Sequence, residues 1–407
     1  MKFNHYDLIV IGGGAAGLFA AANAKIENPK STVLVLEKSA VLLSKVRISG
    51  GGRCNVTHFC FEPKKLIQHY PRGNKELLGP FHRFAAEDTV QWFESRGVML
   101  KVERDGRMFP TTNSSETIID CILNECHKQN VEIATRQKVL SIVKQDDNFC
   151  LNLKDGHTLF SKKILLATGS NADGHQLAQS LGHDIIAPVP SLFTFNVPTS
   201  PLLELSGIAV NPVTLSFKDS KLTQTGPLLI THFGFSGPAA LKLSAWAARF
   251  LADRDYKATL FIQWLSNMTV NDILQTLKQN SKSSISENFF DLPKNLWKSF
   301  LLQCGIAPQS RIGEIAQKKL IALSEKLIKD SFQIEGKTTN KEEFVTCGGV
   351  NCKEIDFKTM QSQICNGLYF AGEIINIDGV TGGFNFQNAW TTGFIAATHA
   401  VCHLNKV

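Results

Sequence analysis

The chain has 407 residues, 43% of them hydrophobic, which is enough for two or three domains with packed cores. The net charge is +7 at pH 7, and the sequence has no polybasic tail. This mildly basic balance favours an anionic ligand but does not require a nucleic acid. The ten cysteines form no C-x-x-C pair, which argues against a zinc site and a disulfide framework. A polar start and the lack of an uninterrupted apolar run of membrane-spanning length predict a cytoplasmic protein without a membrane span.

The start of the chain has the pattern of a dinucleotide-binding βαβ unit. Leu8–Ile11 is a short apolar run typical of a buried parallel strand, and Gly12, Gly14 and Gly17 follow it as G-x-G-x-x-G. A second apolar strand ends in Glu37, where a carboxylate can accept hydrogen bonds from ribose hydroxyls. The alternative, a glycine-rich crossover that binds nothing, would require strand, glycines, helix and acid to fall in this order by coincidence.

Residues 42–55 are predicted to form a long glycine-rich loop, through which Lys45, Arg47 and Arg53 are spaced. Such a loop can wrap an anionic ligand with backbone amides and guanidinium groups, and the alternative is a flexible surface loop. A later buried strand closes on Ala167-Thr168-Gly169, which predicts backbone close to a ligand at the carboxyl edge of the sheet.

The order of the predicted elements indicates an α/β protein with an insertion. Pro188 and Pro190 mark an exit from the first domain. We predict a Rossmann-like domain of residues 1–190 and 347–407, an inserted β-rich domain of residues 191–268 and 331–346, and a helical domain of residues 269–330.

The end of the chain favours FAD over NAD as the dinucleotide. A short strand ends in Gly372-Glu373, and a glycine segment around Gly383 runs into a helix predicted over Trp390–His403. A carboxylate at Glu373 could hold ribityl hydroxyls, and the helix N-terminus could stabilise negative charge at the N1/O2 edge of a reduced flavin. A long flavin dinucleotide would use both ends of the chain.

Several blocks in order along nearly the whole chain resemble one group of proteins. They are Ile11–Gly17, Ile48–Thr57 (containing S-G-G-G-R-C-N), Gly106–Pro110, Thr231–Pro238 (T-H-F-G-F-S-G-P), Thr346–Val350 and Gly372–Asn385. With them, the chain resembles the bacterial BaiN/YhiN-type, aminoacetone-oxidase-like NAD(P)/FAD-dependent oxidoreductases.

The resemblance implies an FAD-binding Rossmann-like domain built from both termini, an inserted β-barrel-like domain and a small helical domain. One departure is Asn376, where the group usually has an aspartate, so a carboxylate role at that position is in doubt.

The motifs and the resemblance together predict the residues that bind FAD non-covalently. They are Gly12, Gly14, Ala15, Ala16, Gly17, Glu37, Lys38, Arg47, Ser49, Gly50, Gly52, Arg53, Cys54, Asn55, Val139, Ala167, Thr168, Gly169, Gly372, Glu373, Asp378, Gly383, Phe384 and Asn385. Cys54 is interpreted as a buried thiol, and Asp378 as a residue that orients the flavin loop.

Catalytic residues are harder to predict than the cofactor site. His232 follows an apolar strand and precedes a glycine turn, which is typical of a loop facing a cleft, although a lone histidine is more often structural. Arg107 could clamp a substrate carboxylate, but a salt bridge with Glu103 or Asp105 is an equal alternative. The sequence pattern does not decide between a catalytic and a structural role for either residue.

The sequence predicts a bacterial FAD-dependent oxidoreductase acting on a small organic substrate, as an oxidase, dehydrogenase or ene-type reductase. No second glycine fingerprint is present, so NAD(P)H, if it is the donor, would bind transiently. A flavin-dependent tRNA-modifying enzyme and a non-enzymatic flavin sensor are the alternatives. Neither a nucleic-acid partner nor a metal is expected, and the oligomeric state is not predicted.

Overall fold

The fold is taken from a computed structural model that describes residues 1–2, 4–339 and 345–402. The chain divides into two compact units. Unit 1 comprises Met1–Val189 and Lys341–Val407, and unit 2 comprises Pro190–Asn340. Both ends of the chain therefore contribute to unit 1, and unit 2 is inserted between them.

The strands, in chain order, are β1 His5–Ile11, β2 Val33–Leu36, β3 Thr57–His58, β4 Leu100–Val102, β5 Arg107–Pro110, β6 Glu132–Ala134, β7 Val139–Gln145, β8 Asn148–Leu153, β9 Thr158–Leu166, β10 Ile185–Ser191, β11 Thr194–Asn196, β12 Ala209–Phe217, β13 Thr223–Ile230, β14 Gly234–Ser236, β15 Lys257–Gln263, β16 Asp330–Glu335, β17 Lys337–Thr338, β18 Val345–Val350, β19 Ile355–Asp356, β20 Gln361–Ser362 and β21 Leu368–Phe370.

The α-helices are α1 Ala15–Glu27, α2 Ser44–Gly52, α3 Pro63–Leu66, α4 Asn74–Phe81, α5 Ala86–Glu94, α6 Ser115–Lys128, α7 Ala172–Ser180, α8 Pro238–Trp246, α9 Ala248–Ala252, α10 Val270–Gln279, α11 Lys294–Gln303, α12 Gln317–Ile328 and α13 Phe384–Cys402. Helix α13 begins six residues before the predicted Trp390, and the predicted last residue, His403, lies outside the described residues.

Unit 1 is organised around a parallel sheet with the strand order β6-β2-β1-β9-β21. Leu8–Ile11 and the whole of β2 are buried, as expected for parallel strands covered on both faces. Ile11 pairs with both Leu36 and Leu166, and Leu166 pairs with Phe370. The carboxyl ends of four strands therefore lie side by side at one edge, where ligands of open α/β sheets bind.

The first and last helices of unit 1 pack against each other. Helix α1 is rich in alanine and almost wholly buried, which permits a close approach by α13. A Cβ placed at Gly393 in α13 would lie 2.8 Å from the carbonyl oxygen of Ala16 in α1. This contact ties the end of the chain to the helix that follows the first glycine turn.

Unit 2 contains a seven-stranded antiparallel sheet, β16-β15-β12-β13-β14-β11-β17, packed with helices α8 to α12. Trp264 joins the sheet to the helices, because its ring centroid lies 5.3 Å from that of Phe300 in α11 and its Nε1 donates to Asp330 at 3.1 Å. The sheet and the helices share one buried apolar cluster. The division of this unit into a β-rich domain and a helical domain of residues 269–330 stays a prediction.

The predicted α/β class with a Rossmann-type domain is confirmed. The prediction of a loop over residues 42–55 is wrong for residues 44–48, which have the helical backbone angles of α2. Helix α2 is kinked at its end, because Ser49 is extended and Gly50 and Gly51 adopt left-handed backbone angles. The glycines thus terminate a short helix instead of forming a long loop.

Candidate functional site: a dinucleotide cradle at the sheet edge

The turn from β1 to α1 has the close contacts that the glycine pattern predicts. A Cβ at Gly12, whose φ is +116°, would lie 2.4 Å from the carbonyl oxygen of Ala167, and one at Gly17 would lie 1.9 Å from the carbonyl oxygen of Gly12. A Cβ at Gly14 would meet no atom within 4 Å. Gly12 and Gly17 therefore serve the fold, whereas Gly14 leaves open space beside the N-terminus of α1.

Glu37 lies at the carboxyl end of β2 and holds the neighbouring backbone. Its carboxylate accepts hydrogen bonds from the amides of Gly13 and Ser39, both at 2.8 Å. The amide of Gln137 donates to the carbonyl of Glu37 at 2.8 Å, which brings a third segment to the same place. Each carboxylate oxygen can accept a further hydrogen bond, so the arrangement is compatible with a ribose hydroxyl.

Two lysines from different segments near Glu37 share one acid. Lys38 and Lys138 each contact Asp173 on α7, at 2.8 and 2.9 Å. Val139 follows Lys138, is buried, and pairs with Leu153 in the β7–β8 hairpin. Lys38 is thus engaged by Asp173, and a cofactor role for Lys38 and Val139 stays a prediction.

Glu373 lies next to the turn that follows β9. A Cβ at Gly169 would lie 3.8 Å from Glu373 Oε2, and the side chain of Thr168 packs against α7 at Gly174. Glu373 Oε2 contacts Lys45 Nζ at 2.6 Å, and Glu373 Oε1 accepts from the amide of Thr346 at 3.0 Å. The structure therefore brings Gly169 and Glu373, both predicted site residues, to the same sheet edge.

Gly372 joins this edge to the start of α1. Its amide donates to Thr392 Oγ1 at 2.9 Å, and its φ is +74°. A Cβ at Gly372 would lie 2.9 Å from the Cβ of Ala16, which follows Ala15 in the first turn of α1. The two alanines and Gly372 therefore allow close packing, and Ala16 itself is buried.

The segment Ser49–Cys54 is locked by internal contacts. Gly50, Gly51 and Gly52 all have positive φ, and a Cβ at Gly51 or Gly52 would meet no atom within 4 Å. Ser49 Oγ donates to the carbonyl of Val46 at 2.9 Å. Cys54 is buried, and desolvation raises the pKa of its thiol to about 12, so it is neutral near pH 7.

Arg53, within the segment Ser49–Cys54, and Arg107, on β5, form ion pairs with nearby acids. Arg53 and Arg107 contact different oxygens of Glu103, at 2.6 and 3.0 Å. Arg107 also contacts Asp105 at 2.8 Å, and the guanidinium of Arg53 lies 4.0 Å from the centre of the Phe109 ring. The salt bridges that competed with a substrate role for Arg107 are therefore both present.

Arg47 lies on α2, where it forms an ion pair with Glu116 of α6. Both side chains are about half exposed, at 44% and 48%. Its carbonyl accepts from Ser115 Oγ at 2.7 Å, so Arg47 joins two helices. A cofactor role for Arg47 stays a prediction.

The N-terminus of α13 is held by predicted site residues. With the Asn55 amide oriented to satisfy its neighbours, its Oδ1 accepts from the amide of Gly383 at 2.9 Å. Asn385 exchanges two hydrogen bonds of 2.9 Å with Gly379, which closes the preceding loop. The first-turn amides, beginning with Phe384, have no carbonyl partner within the helix and can face an electron-rich group.

Asp378 is fully buried and paired with Arg72. Arg72 Nε donates to Asp378 Oδ1 at 2.6 Å, and Arg72 Nη2 contacts Oδ2. The two residues also form an isolated antiparallel bridge. Asp378 therefore joins the loop before α13 to the segment after α3, consistent with an orienting role.

His232 lies in unit 2, on the turn between β13 and β14. The turn is closed by Thr231, whose Oγ1 accepts from the amides of Phe233 and Gly234 at 3.3 and 3.2 Å. His232 is exposed, and so is Phe233. A catalytic role for His232 stays a prediction, as does one for Arg107 in unit 1.

Sequence reasoning missed Arg72 and His58. His58 Nδ1 lies 3.1 Å from the carbonyl oxygen of Gly382, and Arg72 pairs with Asp378, so both partners are more than 300 positions away. No local pattern marks either residue. The block C-N-V-T-H, with His58 directly after the resembling segment, is the one available signal.

The cradle fits a dinucleotide. Gly14 leaves room for a pyrophosphate at the N-terminus of α1, and Glu37 lies at the end of the adjacent strand. Glu373 and the N-terminus of α13 extend the polar edge, as a cofactor longer than a mononucleotide requires.

The described residues contain neither a membrane-spanning helix nor a metal-binding cluster. No helix in that part of the chain is both long and apolar enough to cross a membrane. No group of three or more histidine, cysteine or acidic side chains within it could hold a metal ion.

Known proteins and one family model match almost the whole chain. The model of the family described as "HI0933-like protein Rossmann domain" matches residues 6–399. The chain belongs to the HI0933-like family. The predicted class, an FAD-dependent oxidoreductase with a Rossmann-type domain, is confirmed by this membership, and the type of reaction is not resolved.

Relatives of this HI0933-like chain are named for different activities. Ribosomal RNA dihydrouridine synthase of Escherichia coli is 30% identical over 96% of this chain and 97% of that protein. The 3-dehydro-bile acid delta(4,6)-reductase of Clostridium scindens is 25% identical over 96% of this chain and 98% of that protein. A flavocytochrome c3 fumarate reductase shares the fold, with a TM-score of 0.53 and 17% identity, covering 99% of this chain and 79% of that one.

Proposed function

We propose that this protein is an FAD-dependent reductase of carbon–carbon double bonds conjugated with a carbonyl group. The observation that carries the proposal is that two relatives, each aligned over 96% of the chain, are named for such reductions in unrelated molecules. One acts on uridine in ribosomal RNA and the other on a 3-oxo bile acid. What they share is the bond being reduced, so the shared chain would supply the shared chemistry.

The residues of the cradle would bind and orient the cofactor. Gly14 and the N-terminus of α1 would hold the pyrophosphate, Glu37 the adenosine ribose, and Glu373 the ribityl hydroxyls. The first-turn amides of α13 would face the N1/O2 edge of the ring. When bound and reduced, FAD would supply a hydride to one carbon of the double bond, and a proton from the solvent would complete the reduction at the other carbon.

We further propose NAD(P)H as a transient electron donor. The sequence contains one glycine fingerprint, at Gly12–Gly17, and unit 1 contains the parallel sheet that uses it. A nicotinamide would therefore have to reach the flavin without a second Rossmann domain.

Product analysis tests the reductase proposal. Purified holoprotein with NADH or NADPH is incubated under argon with 2-cyclohexenone, a 4,6-dien-3-one steroid or a uridine-containing ribosomal RNA. We expect one of them to gain two hydrogen atoms, measured by mass spectrometry, while cyclohexanone stays unchanged. Reduction of none of them, together with flavin reduction by an amine or acid substrate, would instead indicate an oxidase or dehydrogenase.

A ribosomal RNA uracil is the second candidate substrate, and the charge of unit 2 favours it. Unit 2 carries 16 Lys and Arg residues against 11 Asp and Glu. Lys218, Arg254 and Lys257 line an open groove of about 540 Å³, together with Asp219 and Glu335. Among the described residues, none of these three cations has a carboxylate within salt-bridge distance. Arg254 donates to the carbonyl of Phe250 at 3.1 Å and lies 4.1 Å from the centre of the Phe250 ring, and its other N–H groups could contact a phosphate.

The salt dependence of RNA binding tests this candidate. The triple variant Lys218→Gln/Arg254→Gln/Lys257→Gln should flatten the slope of log K against log salt by roughly two to three, because each lost phosphate contact removes roughly 0.7–0.9. The control Lys278→Gln/Lys282→Gln/Lys298→Gln makes the same charge change elsewhere in unit 2. Equal effects of the two variants would show that only the overall charge of the unit matters.

A further inference from the structure

One peptide bond before α13 is held from both sides. His58 Nδ1 lies 3.1 Å from the carbonyl oxygen of Gly382, and the amide of Gly383 donates to Asn55 Oδ1 at 2.9 Å. Because a carbonyl only accepts, Nδ1 of His58 carries the hydrogen. The C=O of the Gly382–Gly383 peptide is therefore held by His58, the last residue of β3, and its N–H by Asn55, which lies two residues before β3.

The backbone at this peptide requires glycine. The φ angles of Gly382 and Gly383 are +135° and +91°. A Cβ at Gly383 would lie 2.6 Å from the carbonyl oxygen of Thr57, and one at Gly382 would lie 2.8 Å from the Phe384 ring. The peptide thus lies directly against β3, and a shift of the His58 contact would change its orientation.

The first residue of α13 is also packed against His58. The ring centroids of His58 and Phe384 are 4.6 Å apart, and those of His69 and Phe384 are 4.2 Å apart. Tyr70 Oη donates to the carbonyl of Phe384 at 2.6 Å. His58 therefore acts on α13 in two separable ways, through a hydrogen bond to the preceding peptide and through ring stacking.

We propose that His58 is a positioning residue for the flavin end of the cofactor site. By donating to the Gly382 carbonyl, His58 fixes the direction of the first-turn amides of α13, which stabilise negative charge at the flavin N1/O2 edge. The inference rests on the proposed function in so far as that function places the flavin at α13. The hydrogen bond, not the stacked ring, carries the effect.

Two variants separate the hydrogen bond from the stack. His58→Asn keeps an N–H donor at the position of Nδ1 and lacks the ring. His58→Phe keeps an aromatic ring against Phe384 and lacks the donor. His58→Leu lacks both and serves as a further variant if His58→Phe fails to fold.

Sulfite affinity is the readout, because sulfite adds to oxidised flavin and leaves negative charge at the N1/O2 edge. In FAD-loaded protein, we expect His58→Phe and His58→Leu to weaken sulfite binding about tenfold and to lower the midpoint potential, while His58→Asn stays within about twofold of the wild type. Tenfold is within the range of a helix-terminus interaction.

Three results would overturn the inference. Unchanged sulfite affinity in FAD-loaded His58→Phe or His58→Leu would show that the hydrogen bond does not act on the flavin, while leaving the proposed function intact. Normal affinity in His58→Phe with weak affinity in His58→Asn would assign the effect to the ring. Failure of the wild type to bind FAD at all would refute the proposed function as well.

Discussion

Lys45 Nζ lies 2.6 Å from Glu373 Oε2, although 328 positions separate the two residues. Lys45 is on α2, just after the first βαβ unit, and Glu373 follows β21 near the end of the chain. The ion pair therefore closes the sheet edge between the segments that enter and leave unit 1. Lys45 is half exposed, so the pair contributes little stability by itself, and its value is in placing Glu373.

Substitution of Glu373 should lower FAD binding in steps. Glu373→Gln keeps an acceptor for the Thr346 amide but loses the charge opposite Lys45, whereas Glu373→Ala loses both. We expect a small loss of FAD affinity for the first and at least a tenfold loss for the second, measured by fluorescence titration of apoprotein. Glu325→Ala, an exposed substitution on α12, is the control. Wild-type affinity in Glu373→Ala would remove Glu373 from the cofactor site.

Gly14→Ala should separate folding from cofactor binding. The added methyl meets no protein atom within 4 Å, so the melting temperature of the apoprotein should be close to that of the wild type. The methyl would occupy the space assigned to the pyrophosphate, so FAD affinity should fall at least tenfold. Gly79→Ala, also without a neighbour within 4 Å, should change neither quantity. Full FAD binding by Gly14→Ala would contradict the assignment.

The Arg72–Asp378 pair should be important for stability. Asp378 is fully buried, so Arg72→Ala leaves a buried carboxylate without its guanidinium and should cost about 3–5 kcal/mol of unfolding free energy. The double change Arg72→Met/Asp378→Leu should cost less, because no charge stays buried. Chemical denaturation measures both, with the exposed pair variant Lys65→Ala as a control that changes little. Equal losses in the single and double variants would argue against an electrostatic origin.

The lowered pKa of Asp7 should make the free energy of unfolding depend on pH. Burial acts to raise the pKa of this carboxyl, but hydrogen bonds from Thr32 and the charge of Lys162 outweigh burial, and the pKa lies below its usual range. A lowered folded-state pKa contributes stability above the unfolded-state value of about 3.9, and that stability is lost as the pH falls through the folded pKa.

Asp7→Asn should therefore melt at a lower temperature than the wild type at pH 7, and the difference should shrink below about pH 4. Thermal unfolding followed by circular dichroism across this range is the measurement. Asp120→Asn, an exposed change on α6, should show no such trend. A difference that persists at low pH would mean that the asparagine acts by packing instead of charge.

The strand–glycine–helix start of the chain could be predicted because its determinants are local. Buried strands, Gly12, Gly17 and Glu37 all lie within one βαβ unit, and the parallel register then aligns the strand ends. Residues 44–52 could not be assigned in this way, because three consecutive glycines suggest a loop, yet the preceding polar and apolar residues form a helix that the glycines end.

The sequence indicated the local salt bridges of Arg107 with Glu103 and Asp105, but it could not indicate the partners that lie far away in the chain. Arg47 forms an ion pair with Glu116, and Asp378 forms one with Arg72. Both contacts depend on how distant segments of the chain pack. The interpretation of His232 as a cleft residue used only its place between an apolar strand and a glycine turn, a pattern that does not determine what the side chain faces. Local sequence therefore indicated the cofactor's cradle but not the network that holds it.

Single-turnover oxidation of the reduced holoprotein tests the central claim most directly. FAD-loaded protein is reduced with light and a sacrificial donor under argon, and is then mixed with an unsaturated carbonyl compound or its saturated analogue. We predict that the visible flavin band returns with the unsaturated compound alone, with one equivalent of product gaining two hydrogen atoms. A band that stays bleached with every unsaturated carbonyl compound in the panel, the RNA included, and returns only with oxygen would contradict the reductase proposal.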